Sequence, residues 1–99
     1  MATVISGTIN STGQVTSGSN FSCVYDNNQY VITYNPGLFT TPPVVMVTLD
    51  TSNLSTKPGA YVCSASVINA SYTGCGINVQ NLSGTIVQAG IYLMVSTAI

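Results

Sequence analysis

The sequence predicts an all-β protein of the sandwich or barrel type, and three observations carry that prediction. Short segments rich in Val, Ile, Thr and Tyr alternate apolar with polar residues, the period at which successive side chains of a strand face opposite ways. Clusters of Gly, Asn, Pro and Ser separate these segments. No stretch of ten or more residues sets apolar side chains at i, i+3, i+4 and i+7, and Leu, Glu, Lys and Ala are too sparse to favour helix. At 99 residues the chain has room for one domain with one modest core.

Eight strands are expected, over residues 2–10, 13–16, 20–25, 29–34, 43–49, 60–69, 74–80 and 85–97. Asp26-Asn27-Asn28 joins the third and fourth in a tight hairpin, because these residues tolerate left-handed backbone. Asn35-Pro36-Gly37 ends the fourth strand, since the residue before proline is held extended and glycine then turns freely. Pro42-Pro43 cannot donate to a ladder, so it marks the start of the fifth strand and not its middle. Lys57-Pro58-Gly59 precedes the sixth, and Ser71-Tyr72-Thr73-Gly74 turns it into the seventh.

Alternation assigns the faces. In the closing strand Val87, Ala89, Ile91, Leu93 and Val95 form one apolar row, which must face the core. The opposite row, Ile86, Gln88, Gly90, Tyr92 and Met94, is apolar too, and the fifth strand likewise sets Val44 and Met46 against Val45, Val47 and Leu49. Strands apolar on both sides are covered on both faces. With no helix to supply the second cover, another subunit is the expected one, and the outward row of the closing strand is the expected oligomer interface.

Cys23, Cys63 and Cys75 each keep step with apolar neighbours and point inward. Aligning the faces of the 60–69 and 74–80 hairpin sets Ala65 opposite Val79 and leaves Cys63 and Cys75 about a strand's length apart, so free buried thiols are expected.

Composition excludes several functions. Charged residues make up 3% of the chain, against about 25% in ordinary proteins, and Asp26, Asp50 and Lys57 are the whole set. One cation cannot neutralise a row of phosphates, so nucleic acid is a poor partner. No run approaches the roughly 18 apolar residues of a membrane helix. Low charge also removes the repulsion that keeps copies apart, which favours a homo-oligomer.

Catalysis lacks its usual groups, because His, Glu and Arg are absent. Three inward thiols have no base to hold them as thiolates, and without His or a CxxC pair no metal or other cofactor is expected. Asp26 and Asp50 read as turn and strand-end residues. Five N-x-S/T sequons, at Asn10, Asn20, Asn53, Asn69 and Asn81, follow from a composition rich in Asn, Ser and Thr. What remains is recognition by hydroxyls, amides and tyrosines, with Asp50, Asn53, Tyr61 and Tyr72 as candidate ligand contacts; the tyrosines serve equally well as half-buried strand residues.

The runs YVITYNPGLFTTPPVVMVTL, YVCSASVINASYTGCGINV and TIVQAGIYLMV, with the opening Ser6-Gly7-Thr8, resemble the layout of H-type lectin domains and of the C-terminal β-domains of phage tail fibres and bacterial surface proteins. Phe39-Thr40-Thr41-Pro42-Pro43-Val44 is the most specific part. The lectin pattern has an Arg where this chain has Tyr61, and an aromatic in the last strand, where Tyr92 stands. The resemblance implies an antiparallel sandwich, here of about six to eight strands, usually assembled as a trimer, and for the lectin branch binding of N-acetylgalactosamine-type sugars. The expected function is therefore a structural, assembly-forming module of a virion, fibre or cell surface with a role in attachment, or alternatively a glycan-binding domain. Either places the chain at an extracellular or particle surface, although Met1 to Ser6 carry no signal-like start.

Overall fold

The computed structural model describes residues 3–50, 63–81 and 83–97. They form eight strands: β1 (Val4–Ile9), β2 (Val15–Gly18), β3 (Phe21–Asp26), β4 (Gln29–Tyr34), β5 (Val44–Asp50), β6 (Cys63–Ile68), β7 (Gly74–Asn81) and β8 (Gly90–Ser96). Every pairing is antiparallel, and the strands divide into two four-stranded sheets, β2-β1-β8-β5 and β3-β4-β7-β6, which pack as a β-sandwich. The chain changes sheet after β2, β4, β5 and β7, and each hairpin stays within one sheet.

The inner faces are those the alternation marks. Ala89, Ile91, Leu93 and Val95 are buried against Tyr30, Ile32, Ile77 and Val79 of the facing sheet, and Val87 packs partly buried beside them. Burying a large apolar side chain contributes about 1.5–3 kcal/mol, so this double row is a substantial part of the fold's drive, together with Ile5, Ile9, Phe21, Tyr34 and Phe39. Asn27 and Asn28 both take positive φ, as a two-residue hairpin turn matched to strand twist requires. Ala65 pairs with Val79, which sets Cys63 opposite Asn81 and away from Cys75, and no disulfide joins Cys23, Cys63 and Cys75. Cys75 is buried, whereas Cys23 and Cys63 are half-buried against the core.

Most strand ends differ from the sequence expectation, and two of the differences have a clear physical cause. The second strand starts at Val15 and not at 13, because Asn10 Oδ1 accepts the backbone N–H groups of Thr12 (3.1 Å) and Gln14 (2.8 Å) and winds 10–14 into a loop. Gly13 within it has φ +94° and sits against the backbone of Tyr25, where a Cβ would come within 3 Å, so only glycine fits.

The closing segment 85–97 is not one strand. Ile86 bridges Gln80, and the Val87 N–H donates to Val79 O at 3.1 Å, so this part pairs with β7; the chain then crosses to the other sheet and β8 begins at Gly90. Ile86 and Gln88 therefore do not continue the row of Tyr92 and Met94. The crossing is fixed by Tyr30, wholly buried, whose hydroxyl donates to Ser11 O (2.8 Å) and accepts the Ala89 N–H (3.1 Å).

A second fixed corner joins β2 to β3. The Phe21 ring lies over Gly7 of β1, where an added Cβ would come 2.7 Å from the ring.

Tyr30→Phe is expected to destabilise the domain by about 1–3 kcal/mol, because it leaves the buried Ala89 N–H unpaired. Tyr34→Phe should cost far less, since the Tyr34 hydroxyl donates only to Cys75 Sγ, a weak acceptor at 3.5 Å. Urea titrations of the two variants test the difference, and equal losses would contradict this role for Tyr30.

Candidate functional site

Register across β1, β8 and β5 builds the outer face of the first sheet in rows. Val4, Ser96 and Val44 form one row; Ser6, Met94 and Met46 the next; Thr8, Tyr92 and Thr48 the third; and Gly90 pairs with Asp50 beyond them. Val4, Val44, Met46, Tyr92 and Met94 are all exposed, between 41% and 52% of their surface. The face is thus apolar at one end and polar at the other, with Tyr92 between the two.

Two cavities meet at Tyr92. One, of about 300 Å³, lies among Met46, Thr48, Tyr92, Leu93 and Met94. The other, of about 240 Å³, is polar and is lined by Thr8, Asn10, Ser11, Thr16, Asp50, Gly90 and Tyr92 among others. There the Tyr92 hydroxyl donates to Asp50 Oδ2 at 3.3 Å. The Thr8 hydroxyl lies 2.6 Å from that of Thr16 and 2.7 Å from that of Ser17, and the Thr16 hydroxyl also donates to Thr8 O at 3.2 Å. The result is a wall of hydroxyls facing a carboxylate beside an aromatic ring.

The expected site residues separate. Gly90, Tyr92 and Met94 share this face with Asp50. At Gly90 an added Cβ would lie 3.3 Å from Asp50 Cβ on the neighbouring strand. Gln88 turns back and donates its Nε2 to Ser11 O at 3.1 Å, and Ile86 is half-buried at its bridge to β7. Tyr72, 53% exposed, lines a different cavity, of about 580 Å³, with Tyr34, Asn35, Pro36, Phe39 and Thr40. Tyr72 precedes β7 and Asp50 lies beside the crossover that follows it, so the two stand at opposite ends of the sandwich. Asn53 and Tyr61 lie outside the described residues.

Thr8, Asn10, Ser11 and Thr16 are not among the ligand contacts that the sequence suggests. Alternation puts Thr8 on the outward side of β1, but nothing in it reveals that β8 separates β1 from β5, which is what brings Thr8 and Asp50 to one cavity.

No group of three or more His, Cys, Asp or Glu able to hold a metal ion occurs among the described residues, nor any helix long and apolar enough to cross a membrane. Burial pushes the Cys23 thiol up to about 11, with Cys75 nearby adding to the rise. Burial also raises Cys75, partly offset by the hydroxyl of Tyr34, and pushes Tyr30 up to about 12. Tyr34 is raised by burial and then by Cys75. These groups therefore stay protonated at neutral pH, which makes Cys23 and Cys75 poor nucleophiles.

No family model, no curated protein and no solved structure matches the chain.

The pH dependence of stability follows from these shifts. Each group's folded pKa lies above its unfolded value, so the stabilisation is complete below the unfolded pKa, near 9 for the thiols and 10 for the phenols, and is lost as pH rises through the folded values. The melting temperature should be nearly flat between about pH 4 and 9 and should fall above that. A steep change near neutrality in a calorimetric series would contradict this.

Proposed function

We propose that the chain is a non-enzymatic structural module whose work is self-assembly, as part of a virion, fibre or cell-surface structure that serves in attachment. The observation that carries this reading is the uncharged apolar patch of Val4, Val44, Met46, Tyr92 and Met94 on the outer face of the first sheet. Contiguous exposed patches of this kind usually mark contacts. The only charged side chains among the described residues are Asp26 and Asp50, so little electrostatic repulsion opposes the approach of a second copy. The resemblance to fibre and H-type lectin domains supports the same reading and favours three copies around an axis.

A second reading is favoured by the polar cavity. An aromatic ring, a carboxylate and paired hydroxyls suit a neutral, polyhydroxylated ligand such as a glycan, with Tyr92 stacking on a sugar face and Asp50 accepting from sugar hydroxyls.

Met94→Lys is expected to yield monomers or aggregates, because it forces a charge into a dry contact. Val24→Lys, 61% exposed on the outer face of the other sheet, should leave the assembly intact. Light scattering on both decides it, and a fully assembled Met94→Lys protein would remove this face from the contact. A glycan array tests the second reading, which requires binding to one sugar class that Asp50→Asn weakens about tenfold or more.

A further inference from the structure

The outer face of the second sheet is sunken along β7. Its neighbour β4 turns Gln29, Val31 and Thr33 outward, since Tyr30, Ile32 and Tyr34 are buried between the sheets. The partners of this row bring no side chains, because Val31 pairs with Gly76 and Thr33 with Gly74. At Gly74 an added Cβ would strike the carbonyl oxygen of Ile32, and over Gly76 the amide of Gln29 lies in the space that a side chain would fill. A hollow of about 370 Å³ results, lined by Gln29, Thr33, Asn69 and Thr73 among others.

This hollow adjoins the aromatic cavity of about 580 Å³, since Thr33 and Thr73 line both. At their junction the Tyr34 N–H donates to Thr73 O at 3.0 Å, so the saddle rests on sheet backbone. Tyr72 rises from a tied turn, in which the Ser71 N–H donates to Gly74 O at 2.9 Å and the Thr73 N–H to Ser71 Oγ at 3.2 Å. Its exposed ring is thus placed in advance of any ligand. From Gln29 to Tyr34 the two hollows follow β4 for roughly 17 Å at the usual rise of a strand. The trough is polar at the Gln29 end and aromatic at the Tyr72 end.

No charged side chain lines either hollow, so an ionic ligand would lose hydration and gain no counter-charge. Backbone groups of β4 and β7 are paired with each other, so an extended peptide would find no ladder to join here. Hydroxyls and amides remain. Among the described residues the side chains of Gln29, Thr33, Asn69 and Tyr72 hydrogen-bond to no other residue, and each can donate and accept.

We propose that this trough binds a neutral oligosaccharide chain, with one sugar ring stacked on Tyr72 and the following rings laid along β4 and β7 toward Gln29. Such a chain matches both ends, since its C–H faces suit an aromatic ring and its hydroxyls suit amides and threonines. The site lies on the other sheet from the methionine patch, and Tyr72 stands at the opposite end of the sandwich from Asp50. It therefore depends on neither the assembly nor the ligand reading above.

Cellohexaose, xylohexaose, maltohexaose and mannohexaose, each beside its disaccharide, titrated against the intact protein by ligand-observed NMR, test it. One hexasaccharide should bind about tenfold or more tightly than its disaccharide, because it covers both hollows. Tyr72→Ala should weaken that binding about tenfold, whereas Tyr72→Phe, which keeps the ring, should retain it. Thr33→Arg, at an exposed position on the saddle, should remove the gain with length. Asp50→Asn should change nothing. Failure of all four hexasaccharides to bind at millimolar concentration overturns the proposal, as does equal affinity for a hexasaccharide and its disaccharide. Binding that Asp50→Asn abolishes and Tyr72→Ala spares also overturns it, and places the sugar in the Tyr92 cavity instead.

Discussion

The Tyr30 hydroxyl ties together three segments of the chain. It donates to Ser11 O in the β1–β2 loop and accepts from the Ala89 N–H where the chain crosses between sheets, while its ring packs edge-on to Tyr25 at 4.7 Å. A phenol buried this completely costs several kilocalories unless it is paired, and here its donor and an acceptor site are both used. Ser11 O is shared further, since Gln88 Nε2 also reaches it. The crossing is thereby held at one residue, Ala89, which fixes where β8 begins. Since β8 is the strand that both β1 and β5 pair with, the register of the whole first sheet is set from this point.

That dependence explains what sequence could and could not reveal. The faces of β5, β7 and β8, the Asn27-Asn28 turn and the β6–β7 register were all legible, because each follows from period two or from local turn chemistry. The break between Val87 and Gly90 was not. Apolar residues alternate without interruption from Ile86 to Val95, so nothing local says that the first part pairs with one sheet and the rest with the other. Gln88 looked outward by parity and is instead drawn back to Ser11, a partner 77 residues away in sequence. The polar cavity was half legible: Asp50 and Tyr92 stood out by residue type, whereas Thr8 and Thr16 acquire meaning only from strand order.

The thiols show the same division between local and long-range information. Alternation placed all three inward, and hairpin geometry kept Cys63 from Cys75. What alternation does not give is the neighbourhood across the sheet, where Ile32 pairs with Cys23 on one side and Cys75 on the other. The two thiols thus flank one buried isoleucine on the inner face of the second sheet, and Tyr34 caps Cys75 from the same strand as that isoleucine. Desolvation outweighs every other influence on these groups, so they act as small apolar fillers.

Near-absence of charge gives the outer face of the first sheet an unusual freedom. On most proteins a patch such as Val4, Val44, Met46 and Met94 is interrupted by Lys or Glu, which holds copies apart and limits what can dock. Here the transition from apolar to polar runs through one residue, Tyr92, whose ring lines the methionine cavity while its hydroxyl reaches Asp50 in the other. A copy seated on the methionines would meet the ring of Tyr92 and form a wall beside the Asp50 cavity, deepening it and excluding water from one side. Hydrogen bonds from a ligand to Asp50 would strengthen as that water left. Assembly and ligand recognition would then be coupled through Tyr92, because each changes the solvent exposure of the ring that the other uses.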